Sequence, residues 1–182
     1  MKTLAYHEAT PGHHHQIAHS LENEELTLYR RFGYGTSAFS EGWALYSEQL
    51  ALEAGLAPDP YDELGILQSE IFRAVRLVVD TGIHYKKWTR EEAIAYMKAK
   101  TGMSDTECRV EIERYIVWPG QALSYKVGMI KMLELREKAM NALGDKFDIK
   151  DFHSAVLDHG NPPLFIVEQK IDEMITKGLN TN

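Results

Sequence analysis

The stretch Tyr6-His7-Glu8-Ala9-Thr10-Pro11-Gly12-His13-His14-His15-Gln16 constrains this chain more than any other. Four histidines and one glutamate fall within nine residues there, and imidazole is the commonest metal ligand among side chains. In an HExxH zinc site both histidines share one helical face, and the glutamate beside the first is the general base. Here the position four residues after His7 is Pro11, which cannot ligate. On an unbroken helix His14 would share the His7 face but stand about 10 Å further along the axis. Two zinc–nitrogen bonds of about 2.0–2.1 Å cannot span that gap. His13 would point to another side, so a plain helix fails for both pairings. Pro11 removes a backbone donor and Gly12 tolerates unusual dihedrals. A bulge at Pro11-Gly12 that absorbs two residues brings His13 to the place the second histidine normally takes, leaving His14 and His15 outside.

Zinc prefers four-coordination, and a hydrolytic site keeps one position for water. A third ligand is therefore expected from an acid on another helix. Glu41 and Glu48 stand seven residues apart on one helical face. With Ser40 as N-cap, Glu41 falls in a first turn, where a carboxylate also complements the helix dipole without any metal. Gly42 beside it allows a close approach of helices. Trp43 and Tyr46 read as packing residues.

The rest of the chain reads as helix after helix. Spans are expected over 13–23, 25–32, 40–54, 61–85, 89–100, 104–117, 119–143, 150–158 and 164–177. Capping boxes at Thr89–Glu92 and Ser104–Glu107 open two of them. Pro119 suits a first helical turn. The loop 33–37, rich in glycine and hydroxyls, precedes Ser40 and is placed to present backbone groups near the metal. In the longest span Leu64, Leu67, Ile71, Ala74, Val75, Val78 and Val79 form an apolar stripe. Arg76, Asp80 and His84 lie among them at a spacing of four. Buried charges must be paired, so these three are expected to form a polar network that supports the site. No strand alternation and no internal repeat is present. The pattern predicts an all-α fold, an irregular multi-helix array, in a single helical domain over residues 1–182.

Composition narrows the function. A formal net charge of −7 argues against nucleic-acid binding, which wants a basic surface. Cys108 is the only cysteine, so no internal disulfide framework exists. No apolar run approaches a membrane span, and no membrane partner is expected.

Three motifs in order, His7-Glu8-Ala9-Thr10-Pro11-Gly12-His13, Ser40-Glu41-Gly42-Trp43-Ala44-Leu45-Tyr46 and Pro119-Gly120-Gln121-Ala122-Leu123-Ser124-Tyr125-Lys126, resemble the DUF885 family of bacterial proteins. The resemblance covers nearly the whole chain. The family looks like zinc metallopeptidases related to the gluzincins. Its members are much longer, and this chain is similar to their C-terminal, catalytic part. The resemblance implies a gluzincin-like helical metal site with zinc (Zn) as cofactor. It favours Glu41 over Glu48 beside His7 and His13, through the Ser-Glu-Gly-Trp context. It implies Glu8 as general base and Tyr125 as donor to the oxyanion, acting on a peptide or small amide substrate. Arg114 and Tyr115 precede the third motif, where a guanidinium suits a substrate carboxylate. The alternative is a helical metal-binding or interaction module without turnover. In either case a missing N-terminal half or a homo-oligomer partner is expected to cover apolar surface beside the site.

Overall fold

The computed structural model describes residues 2–33 and 35–180. Met1, Thr181, Asn182 and Tyr34 of the expected 33–37 loop lie outside the described residues. Ten α-helices follow one another, with no strand among the described residues. They are α1 (Lys2–Glu8), α2 (His13–Glu22), α3 (Leu28–Phe32), α4 (Ser37–Glu53), α5 (Pro60–His84), α6 (Arg90–Thr101), α7 (Asp105–Val117), α8 (Ser124–Leu143), α9 (Ile149–Leu157) and α10 (Leu164–Asn180). No described helix is long and apolar enough to cross a membrane.

Local chemistry sets the boundaries. Both capping boxes form: the Thr89 and Ser104 side chains accept from the amides of Glu92 and Glu107, whose carboxylates reach back. Asp59 caps α5, with Pro60 in its first turn. Two starts differ from expectation. α4 begins at Ser37 with Thr36 in the N-cap position, three residues before Ser40, so Glu41 stands in the second turn. The Thr36 hydroxyl donates to the Pro162 carbonyl at 2.9 Å, which ties this end of the 33–37 loop to the turn after α9. α8 begins at Ser124 rather than at Pro119, after a 3₁₀ turn over Gln121–Leu123. Gly120 takes a left-handed conformation there, and the buried Asp80 carboxylate accepts from its amide.

Two cores hold the array. One joins α4 and α8 to α9 and α10 through Phe39, Trp43, Met132, Phe152 and Ile171. The other joins α5, α6 and α7 through Val75, Val79, Met97 and Ile112. α1 lies on α4 and α5, where the cores meet. α4 and α8 cross backbone to backbone at Gly42 and Gly128. A Cβ at Gly42 would fall 2.5 Å from the Gly128 Cα, and one at Gly128 would collide with the Ala38 carbonyl. This crossing sets Glu41 and Tyr125 on facing helices. Gly128→Ala gains about 1 kcal/mol of helix propensity, but overpacking costs about 1–3 kcal/mol or more, and a backbone carbonyl cannot turn aside as a side chain does. The expected result is a lower urea midpoint at unchanged m-value. A raised midpoint would mean the two helices separate freely.

The α5 stripe divides. Val75 and Val79 are buried, while Leu64, Leu67, Ile71 and Val78 remain exposed. Leu64, Ile71, Val78 and Tyr85 recur every seven residues, each of the first three followed three residues later by Leu67, Ala74 or Thr81. Over Leu64, Leu67, Ile71 and Val78 this heptad spacing leaves an apolar seam of α5 exposed to solvent.

Candidate metal centre

The His7 motif breaks the helix outright. α1 ends at Glu8 and α2 begins at His13, with a cis Thr10–Pro11 peptide between them. The His15 amide donates to the Ala9 carbonyl at 3.3 Å, a span of six residues where a helix uses four. Two residues are thus absorbed, as the spacing argument required, although by a break between two helices rather than a bulge in one. Gly12 packs against the carbonyls of Tyr6 and His7, leaving no room for a side chain. From α4, the Trp43 indole and the Ser47 hydroxyl both donate to the Pro11 carbonyl, at 2.8 and 3.2 Å. The second motif therefore clamps the first.

The result is convergence. One ligand atom each from His7, His13 and Glu41 lies within 4.8 Å of the others. The Nε2 atoms of His7 and His13 stand 3.6 and 3.2 Å from the same Glu41 Oε2. Two ligands held tetrahedrally at zinc bond lengths are about 3.3 Å apart, so this donor set fits zinc. The rings of His7 and His13 meet edge to face, with centroids 4.9 Å apart. His14 and His15 are exposed and stand outside the group.

Glu48 has a different task from Glu41. Its Oε1 lies 2.7 Å from His7 Nδ1. A carboxylate only accepts, so Nδ1 carries the proton and Nε2 is left to ligate. Glu48 is 1% exposed. A buried carboxylate on the far nitrogen is the usual outer partner of a metal-bound histidine.

Electrostatics agree. Burial works to lower the His7 pKa, but hydrogen bonds from Glu41 and Glu48 outweigh it and raise it above the ordinary histidine value. Burial works to raise the Glu41 pKa, yet the His13 and His7 hydrogen bonds hold it down at about 2. Glu41 thus stays ionised at ordinary pH, while a proton on His7 would compete with a metal there. Zinc affinity is expected to fall as pH falls through the raised His7 pKa, approaching about tenfold per pH unit below it for one displaced proton. Calorimetry in buffers of different ionisation enthalpy should show proton release on binding. Affinity independent of pH across that range would remove His7 from the ligand set.

Glu8 closes α1 directly after the buried His7. It is exposed and has no hydrogen-bond or ion-pair partner among the described residues. Tyr125 stacks its ring on His7, at 6.2 Å between centroids and 21° between planes. Arg76 lies 4.6 Å from the centre of that ring. Arg114 donates to Gln121 at 2.6 Å. Burial works against the Arg114 charge, but the neighbouring Tyr125 hydroxyl and Glu111 outweigh it.

Tyr115 is placed otherwise than a substrate-binding role requires. It is 1% exposed, and its hydroxyl donates to Glu111 at 2.5 Å and accepts from Arg76 at 2.8 Å. It is a buried tie. Arg76, Asp80 and His84 likewise do not pair with one another. Arg76 binds Tyr115 and Glu111, Asp80 binds the Gly120 amide, and His84 Nε2 donates to the Tyr115 carbonyl at 2.9 Å. Each fastens α5 to α7 or to the turn that opens α8. Of the three, Arg76 alone contacts the Tyr125 ring that stacks on His7.

Sequence reasoning missed the Trp43–Ser47 clamp. Arg73 stands in the sequence with Arg76, Asp80 and His84 among the apolar residues of the long helix, but its surroundings are not visible there and no role was assigned to it. Arg73 lines a cavity of about 290 Å³ beside the ligands, together with Leu4, His7, Glu48, Phe72 and Met103.

The DUF885 family model, described as "Bacterial protein of unknown function", matches residues 1–171. No curated protein matches. A solved structure from Colwellia psychrerythraea, named as a putative lipoprotein, is 54% identical with a TM-score of 0.93, covering 97% of this chain and 30% of its own. Another from Shewanella oneidensis, named as a putative lipoprotein of unknown function, is 32% identical with a TM-score of 0.85, covering 92% of this chain and 30% of its own.

Proposed function

The chain belongs to the DUF885 family, and from that membership and the His7–His13–Glu41 geometry we propose that it forms the metal centre of a zinc-dependent hydrolase, peptidase-like, that cleaves a peptide or other amide bond. The observation that carries this reading is the convergence of three ligand atoms with Glu48 fixing the His7 tautomer. A zinc held by His7, His13 and Glu41 would supply an acidified water, with a pKa of about 7, and a Lewis acid for a carbonyl oxygen. Glu8, next to His7 and unengaged, would be the group to accept a proton from such a water and return it to the leaving amine. Tyr125, held over His7 and beside Arg114, donates its hydroxyl to the developing oxyanion. Gly42 and Gly128 keep the helices bearing Glu41 and Tyr125 at the spacing this requires.

The test pairs metal analysis with hydrolysis of a peptide and amide library by a family-length protein. About one zinc per chain, and hydrolysis that a chelator abolishes, is the expected result. Zinc binding with no hydrolysis of any amide would leave the non-catalytic metal-binding module in its place.

This chain spans 30% of each solved relative. The α5 seam is solvent-exposed, and its heptad spacing suits one occupant, an amphipathic helix. We infer that polypeptide outside the matched region supplies that helix in family-length proteins. This chain alone is then expected to self-associate through the seam, and Ile71→Glu with Leu67→Glu to return it to monomer by light scattering. A wild-type monomer that binds no hydrophobic dye would contradict this.

A further inference from the structure

We propose that the cavity beside His7 is the subsite for the C-terminal residue of the substrate, with Arg73 taking the carboxylate and Leu4, Phe72 and Met103 taking an apolar side chain. The inference rests on the amide-hydrolase reading and names its substrate class, a peptide with a free C-terminus.

Arg73 carries the argument. Its Nη1 donates to the Ser69 hydroxyl at 2.8 Å, and its Nε is buried without a hydrogen-bond partner among the described residues. No described carboxylate lies within ion-pair distance of it. Its neighbours are provided for: Arg76 reaches Glu111 at 3.0 Å and Arg114 reaches the same carboxylate at 3.5 Å. Arg73 instead lies over aromatic rings, 5.2 Å from the centre of Phe72 and 5.6 Å from that of Tyr125. Burial pulls its pKa down, yet a guanidinium stays charged in proteins. The Glu48 and Glu41 charges act on this half-buried side chain from beyond ion-pair distance, and a largely desolvated charge without a direct partner is costly. A ligand carboxylate removes that cost and suits the planar donors of arginine.

The cavity supplies the rest. Its volume of about 290 Å³ sits at the lower end of the about 300–1,000 Å³ usual for small-molecule sites. That is room for one residue rather than an extended peptide. Leu4, Phe72 and Met103 give it apolar walls. His7 and Glu48 also line it, so a residue seated there adjoins the ligand set, and the bond presented to the metal is the one joining it to the rest of the peptide. Glu48 Oε1 is engaged by the His7 Nδ1 proton, whereas its Oε2 is buried without a hydrogen-bond partner among the described residues, so a ligand with a free amine is the competitor that the test must include.

The experiment compares three ligands by calorimetry on the zinc-loaded and metal-free forms of this chain: N-acetyl-leucyl-leucine, its C-terminal amide, and leucyl-leucine amide with a free amine. The free acid should bind at least about tenfold more tightly than either amide, a difference of about 1.4 kcal/mol. Arg73→Gln should bring it down to the amide level with zinc content unchanged, and Arg73→Lys should keep part of the preference. Equal binding of acid and amide by the wild-type chain, binding of neither, preference for the free amine, or a preference that survives Arg73→Gln each overturns the proposal. Hydrolysis is scored separately in the family-length protein. A carboxylate preference without hydrolysis counts against the hydrolase reading alone. Hydrolysis without the preference counts against this subsite alone.

Discussion

In a zinc-loaded, family-length protein, Glu8→Gln keeps about one zinc per chain and loses turnover by about 10²–10⁴-fold. Glutamine preserves the size and the hydrogen bonding of the side chain but cannot accept a proton. Glu8 follows the buried His7, is itself exposed, and has no side-chain partner among the described residues. Nothing in the fold therefore depends on its charge, and stability should change by less than about 0.5 kcal/mol, as at other unengaged surface positions. Metal content and kcat/KM must be measured on the same preparations. If Glu8→Gln sheds zinc as readily as a ligand variant, Glu8 is itself a ligand or a structural residue, and the proton path proposed here fails. If it retains both zinc and full turnover, another group accepts the proton.

Several helices were legible because they carry their own signals, although α1 was not among the expected spans. Capping boxes at Thr89 and Ser104 announce α6 and α7 without help from the rest of the chain. The convergence of His7 with His13 was legible for a related reason. Pro11, four residues after His7, excludes the ordinary zinc helix, and only a bulge or break can reunite His7 with His13. What the sequence hid is tertiary. The amide of Gly120 is gripped by Asp80, forty residues away, so α8 starts at Ser124 although Pro119 offers a local start. Asp80 looked like a partner for Arg76 because helix spacing brings them together; the fold gives each a partner on another element. Tyr115 precedes a catalytic-looking motif but turns inward, where desolvating its hydroxyl requires both Glu111 and Arg76. Ser40 resembled an N-cap, yet α4 starts at Ser37. Its neighbour Glu41 therefore owes its low pKa of about 2 to the two histidines rather than to a helix end.

The separation of Glu41 from Glu48 gives the other large effect. Both are carboxylates on one face of α4, seven residues apart, and both touch His7, but at different nitrogens: Glu41 approaches Nε2 at 3.6 Å and Glu48 holds Nδ1 at 2.7 Å. Replacing Glu48 by Gln leaves three ligands in place. It removes the charge that raises the basicity of His7 and weakens the orientation of its ring, which for outer partners costs about 10–100-fold in metal affinity. Replacing Glu41 by Gln removes a charged ligand itself, so the loss of zinc affinity should exceed that range. It also leaves His7 and His13 without the carboxylate oxygen they share. The two variants should differ in the metal-free state as well. Glu48→Gln leaves a buried site with a neutral amide that still accepts from Nδ1, so the fold survives. Competition against a chromophoric chelator ranks the three affinities, with wild type tightest, Glu48→Gln next and Glu41→Gln weakest. The reverse order, with Glu48→Gln the weaker binder, would make Glu48 the ligand and Glu41 its support, and the assignment of the centre would have to be exchanged.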